Sequence, residues 1–192
     1  MKVEVERQSE SMWQKVKNLA MRTIGKDSGK APSTQWKTKI LLAEHSPIRS
    51  LKFLITMKEL KYWISVHFVR HKIGVEHYVS TQRTDRTGVE RDDLPQSALV
   101  SHTMDADAQA LIYMGRKRQC NQAAAETIEA FKAVKEEIAK YEPELASVMV
   151  RECVYRGFCP EMKCCGYVKT EDFKRERFEY ASKGVMPDGE SS

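Results

Sequence analysis

Arg70, His71 and Lys72 stand in a row, and seven residues separate Lys72 from Ser80. The stretch from Val69 to Arg83 packs cations, imidazoles, a hydroxyl and further amide and guanidinium donors directly behind an apolar segment. Guanidinium forks match phosphate oxygens bidentately and also stack on rings, so this density suits a pocket for a phosphorylated, heteroaromatic ligand. Ser80 reads as a phosphate donor rather than a nucleophile, because no Ser-His-Asp or Ser-Lys arrangement accompanies it. His67 and His71 lie four residues apart with His77 nearby, which raises a metal reading, but no His-Glu-x-x-His completes it. His77 and His102 receive no role.

A second cationic group, Arg116-Lys117-Arg118, closes a helical pattern, where the macrodipole alone favours cations. The cysteines offer another chemistry. Cys153, Cys159 and Cys164 fall in a segment rich in turn formers (Gly157, Pro160, Gly166), and Cys120 can join them if the chain folds back. Their spacing is not the paired Cys-x2-Cys of common zinc sites. A structural zinc on Cys120, Cys153, Cys159 and Cys164 and a set of reduced thiols both remain open.

Elements must position these groups. The pattern of residues 2–6 reads as a strand, and that of 51–58, with Leu51, Phe53, Ile55 and Met57 alternating, as a second, half-buried one. Ser11 with Gln14 resembles a capping box opening a helix with Trp13, Val16, Ala20 and Ile24 on one face. After a loop from Gly25 to Ser33, Thr34 caps a second helix that carries Trp36, Ile40 and Leu41 and stops near His45-Ser46-Pro47. Residues 62–70 fit strand or helix, the latter with Trp63, Val66 and Val69 on one face. Residues 71–95 read as loop, 104–118 and 125–141 as helices, and 145–150 as a short apolar stretch. This is an α+β pattern of helices on a small antiparallel sheet. One domain spans 1–183, with a Cys-rich segment at 153–165 and a disordered tail from 184 to 192.

Composition bounds the function. The chain has 192 residues, 41% apolar and 31% charged, with 32 Lys+Arg against 27 Asp+Glu. The excess of +5 is interleaved with acids, which suits a small anionic ligand as well as a nucleic acid and gives no one-sided basic stripe. No apolar run is long enough for a membrane span, and the first residues are no signal peptide, so a cytoplasmic location is expected.

The Arg70-His71-Lys72…Ser80 segment resembles the Arg-His-Arg, seven residues, Ser signature of the flavin-dependent thymidylate synthases, with Lys72 at the third position. Other elements fall in the same order. His45 precedes Ser46-Pro47 and a strand; Arg91-Asp-Asp-Leu94-Pro95 resembles an Arg-x-x-Leu-Pro element; and Asp107-Ala108-Gln109-Ala110-Leu111 precedes Arg118 as an Asn-Ala-polar-Ser-Leu pattern precedes an arginine. The resemblance covers roughly residues 2–140. Its departures are a nearly absent insertion before Arg91, Tyr78 where glutamate is frequent, Gln82 with Arg83 one step beyond the expected arginine, and Asp107 in place of asparagine.

The resemblance implies the family's fold, a small antiparallel sheet flanked by helices, and a homotetramer with shared active sites. It implies FAD-dependent reductive methylation of dUMP, with NADPH and methylenetetrahydrofolate as co-substrates. It places His45, Arg70, His71, Lys72, Asp107, Gln109 and Tyr113 at the flavin. It places His67, Arg70, Tyr78, Ser80, Gln82, Arg83, Arg91 and Arg118 at the nucleotide, with Arg118 at the pyrimidine ring as the catalytic group. A sister enzyme acting on another pyrimidine nucleotide, or transferring a hydroxymethyl group, is the alternative that Tyr78 and Gln82 support. A basic nucleic-acid-binding domain is the alternative from another class, and it predicts steeply salt-dependent binding.

Overall fold

Four antiparallel strands, β1 (Lys2–Arg7), β2 (Lys52–Lys61), β3 (Val75–Val79) and β4 (Leu99–Asp107), lie in the order β1-β2-β4-β3 in the computed structural model, which describes residues 1–7 and 11–184. Phe53, Ile55 and Met57 of β2 and Met104 and Ala106 of β4 are fully buried, with Ile55 opposite Met104 and Phe53 opposite Ala106. This alternation is what buries one face of each strand and sets the register. Between Met57 and Leu60 the β2–β4 pairing is irregular, and Glu59 takes a left-handed φ of 58° there.

The helices are α1 (Met12–Arg22), α2 (Thr34–Leu42), α3 (Tyr62–Phe68), α4 (Thr84–Thr87), α5 (Ala108–Arg118), α6 (Ala125–Ala139), α7 (Pro143–Val148), α8 (Glu152–Arg156) and α9 (Glu171–Ser182). The α+β expectation holds: α3 packs on α6 through stacked Phe68 and Phe131 rings, and both rings are buried beside the sheet. No helix among the described residues is long and apolar enough to cross a membrane.

Several local expectations change. The segment 71–95 contains β3, because Val75 to Val79 pair with β4 residues far along the chain, a partner that a local reading cannot supply. Residues 104–107 are strand, not helix; Val100, His102, Met104 and Ala106 are buried in alternation, the period of a sheet. The helix starts only after Asp107, whose side chain accepts from the Ala110 amide and caps it. Residues 62–68 are helical, but the buried face is Ile64, Ser65 and Phe68, while Val66 is exposed.

At α1, Gln14 donates to Asn18 and Ser28 at 2.9 and 3.2 Å, and Ser11 makes no side-chain cap bond. The expected capping box is therefore absent, and Ile24, beyond the helix end, is exposed. Ser33 rather than Thr34 caps α2, accepting from the Trp36 amide. The α9 helix, which the hydropathy pattern leaves unassigned, is capped by Thr170 and docks through Phe173 and Tyr180. Of the expected tail, residues 185–192 lie outside the described residues.

Candidate active site

α3 delivers its C-terminal segment to the end of α5. The chain leaves α3 with the His71 amide donating to the Phe68 carbonyl, and Gly74, at a φ of +73°, turns it into β3. This turn is tight: a Cβ on Gly74 would sit 2.6 Å from a carboxylate oxygen of Asp107. His71 is buried at 7% exposure, and its Nε2 accepts from the Arg118 Nε at 2.8 Å. A guanidinium only donates, so His71 presents a bare Nε2 and holds its proton on Nδ1. The Tyr113 ring lies edge-on to the imidazole at 6.0 Å.

The electrostatics agree with a neutral imidazole. Burial, then the Arg118 charge and His77, lower the His71 pKa to about 4. Arg118 itself is pushed down by burial and by neighbouring Arg70. His67, whose Nδ1 lies 2.8 Å from the Thr127 hydroxyl, is lowered by burial and by both arginines. Arg70 and Arg118 thus form one electropositive group around the His67 and His71 imidazoles. Among the described residues no carboxylate lies within ion-pair distance of Arg70, Lys72, Arg91 or Arg118. In a chain with 27 acidic residues, cations left without acids are available to an anionic ligand.

The remaining expected residues divide. Ser80 prolongs the β3–β4 ladder: its amide donates to the Ser101 carbonyl at 2.8 Å and its Oγ accepts from the Ser101 amide at 3.0 Å. That leaves the Ser80 hydroxyl proton to donate. Tyr78, on β3 opposite Thr103, is exposed, and Gln82 is half-buried. Arg83 is bidentate to Asp85 at 2.9 and 2.8 Å, so its charge already has a partner. Exposed Arg91 opens a short 3₁₀ turn whose amide donates to the Thr84 hydroxyl.

Asp107 is occupied as the α5 cap, and burial raises its pKa. Gln109 donates to Glu44 at 2.5 Å, and Arg116 pairs with the same carboxylate. Glu44, in a left-handed conformation with φ 50°, thus ties the end of α2 to α5, and nothing in its sequence context signals this. Next to it, exposed His45 borders a groove of about 590 Å³ lined by Trp36, Lys39, Ile40, Ala43 and Pro47. Arg116 is no spare macrodipole cation: it is 8% exposed, and its guanidinium stacks over the Tyr155 ring at 3.6 Å.

Of the two readings left open for the cysteines, the described residues show thiols and no zinc site. All five cysteines are free thiols, and no three His, Cys, Asp or Glu side chains are placed to hold a metal ion. Cys120, Cys153, Cys159 and Cys165, rather than Cys164, border a cavity of about 10 Å³, room for one water. Burial raises the Cys153 pKa to about 11, so in the metal-free protein that thiol is protonated at neutral pH.

Neither a protein-family model nor a curated protein sequence matches the chain. Solved structures do. A flavin-dependent thymidylate synthase from Helicobacter pylori, complexed with FAD and dUMP, superposes with a TM-score of 0.61 at 12% identity, covering 77% of this chain and all of that one. A second structure of the Helicobacter pylori enzyme with the same ligands gives 0.59 at 14% identity over 78% of this chain and 99% of that one. A UMP/dUMP methylase, PolB, from Streptomyces cacaoi bound with 5-Br dUMP gives 0.56 at 14% identity over 82% and 96%. At these identities the likeness is one of architecture, and it agrees with the order of the motif elements: the chain has the flavin-dependent thymidylate synthase fold.

Proposed function

We propose that this chain is a flavin-dependent enzyme that methylates dUMP at C5, taking the one-carbon unit from methylenetetrahydrofolate and reducing equivalents from NADPH. The observation that carries this reading is the group of carboxylate-free cations around the Arg118–His71 pair, on a fold whose solved examples hold FAD and dUMP. FAD fits the residues present. Arg70 and Lys72 supply exposed cations for a pyrophosphate, and the half-exposed Tyr113 ring supplies a stacking surface beside His71. When bound, FAD would pass a hydride from NADPH to the transferred carbon.

The chain's own residues supply orientation and charge. Arg118, fixed at its Nε by His71, turns its terminal nitrogens to the pyrimidine edge, where N3 and O4 gain negative charge as C5 becomes nucleophilic. Because His71 is neutral, that charge meets a guanidinium and not a competing imidazolium. Ser80 and Arg91 serve the nucleotide phosphate, and His67 lines the pocket from α3. Exposure of Tyr78 and of the Arg70 and Lys72 heads suits a homotetramer in which a neighbouring subunit completes each pocket.

The test is direct. Purified protein reconstituted with FAD should show flavin absorbance and release tritium from C5-labelled dUMP when supplied with NADPH and methylenetetrahydrofolate. A protein that takes up no flavin overturns the reading. A second reading, action on another pyrimidine nucleotide, is favoured by the likeness to a UMP/dUMP methylase together with Tyr78 and Gln82. Parallel assays on dUMP, UMP and dCMP separate the two.

A further inference from the structure

His77 and His102 lie outside the ligand set, yet hydrogen bonds tie them to it. The His77 Nε2 is 2.7 Å from the His71 carbonyl oxygen, which can only accept, so that nitrogen carries a proton. In a neutral ring the His77 Nδ1 is then a bare acceptor. It sits 2.9 Å from the His102 Nε2, which must supply the second proton. His102 is thereby left with a lone pair on Nδ1, and that atom is buried with no hydrogen-bond partner among the described residues.

The opposite assignment is worse on two counts. A cationic His77 would donate from Nδ1 and force the His102 proton onto its partnerless Nδ1. It would also set a charge against a ring with 0% exposure, packed edge-on to Phe68 at 6.0 Å. Both rings are therefore neutral and each is locked in one tautomer. The His71 peptide is held from both sides, its amide donating to Phe68 and its carbonyl accepting from His77. Its side chain is the acceptor that fixes Arg118.

We propose that the His77–His102 pair is a positioning device, which fixes the His71 peptide and hence the imidazole that aims the Arg118 guanidinium at an anionic pyrimidine. The identity of that ligand rests on the function proposed above; the hydrogen-bond chain does not. At the sheet level, the pair clamps β3 to β4 and converts the strand register into the direction of a side chain at the end of α5. His77 and His102 act through His71 and do not themselves touch the ligand.

The experiment combines imidazole ¹⁵N spectroscopy with ligand titration of the FAD-loaded protein. In the wild type, His77 and His102 are expected as Nε2–H tautomers and His71 as Nδ1–H. His77→Phe should average the His71 tautomers and weaken dUMP binding about tenfold, the equivalent of 1.4 kcal/mol, with flavin absorbance unchanged. His77→Gln, whose amide nitrogen can still reach the His71 carbonyl, should restore the His71 signature and most of the affinity. If His77→Phe does not fold, His102→Phe serves as the second variant, with a smaller loss in the same direction. A wild-type His77 bearing its proton on Nδ1, or a His77→Phe protein with an unaltered His71 tautomer, overturns the proposal. A wild type that binds no dUMP overturns the function instead, and the tautomer spectra still decide the positioning role.

Discussion

Arg118 and His71 meet at 2.8 Å, Nε to Nε2, across 47 residues of chain. The contact engages the Nε and leaves the two terminal nitrogens without a hydrogen bond to a side chain or backbone group among the described residues. It also explains why His71 is neutral: a cationic imidazole would turn an N–H toward an N–H.

Arg118→Ala should therefore leave flavin binding intact and remove turnover. Loss of a preorganised donor where charge develops typically costs 10²–10³ in kcat. The measurement is tritium release from C5-labelled dUMP beside the flavin absorbance. Arg175→Ala is the control, because Arg175 is exposed on α9 and pairs only with Asp172 among the described residues.

Arg116→Ala should act on stability. It removes the partner of half-buried Glu44 and the cation stacked on half-buried Tyr155, and Arg116 itself is buried. Breaking a fully buried pair from one side costs about 3–5 kcal/mol; with Glu44 partly solvated the loss is smaller, about 2 kcal/mol, which lowers Tm by roughly 5 °C for a chain of this size. Thermal denaturation of Arg116→Ala beside Arg175→Ala checks it.

Gly74→Ala should be at least as damaging despite adding one methyl. The position has a φ of +73°, and the new Cβ would lie 2.6 to 2.9 Å from the Asp107 carboxylate. Left-handed strain and a displaced N-cap together amount to about 2–3 kcal/mol. Asp107→Ala, losing only the cap, should cost about 1 kcal/mol; equal losses in urea denaturation would refute the clash.

Acid should destabilise the fold through two histidines. His71 and His102 are lowered from 6.5 to about 4, each by burial first, then by Arg118 and His77 for His71 and by His77 for His102. Between those values the unfolded chain binds protons that the folded chain refuses, so stability rises with pH across this window. The contribution is fully present above about pH 6.5 and is lost as pH falls toward 4. Urea midpoints at pH 8 and pH 5 should differ in that direction, and His102→Phe should shrink the difference.

Residue type and local period were enough to establish β1, β2, α2 and α6, the α+β class and the order of the motif elements, because alternation and helical spacing are properties of short windows. The cationic character of the Arg70–Lys72 segment and of Arg118 was likewise legible from residue type alone, and its use for an anionic ligand is part of the function proposed above. What only the tertiary structure decided depends on partners distant in sequence. β3 exists because β4 pairs with it, and the strand character of residues 104–107 follows from the same pairing. Arg116 and Arg118 are two residues apart, yet one is buried against Glu44 and Tyr155 while the other opens on His71; neighbours on a helix point to different faces, and packing alone says which face is inside. The cysteine spacing left zinc open, and only the tertiary structure shows which thiols meet: Cys120, Cys153, Cys159 and Cys165 border one small cavity, with no metal-holding group among the described residues.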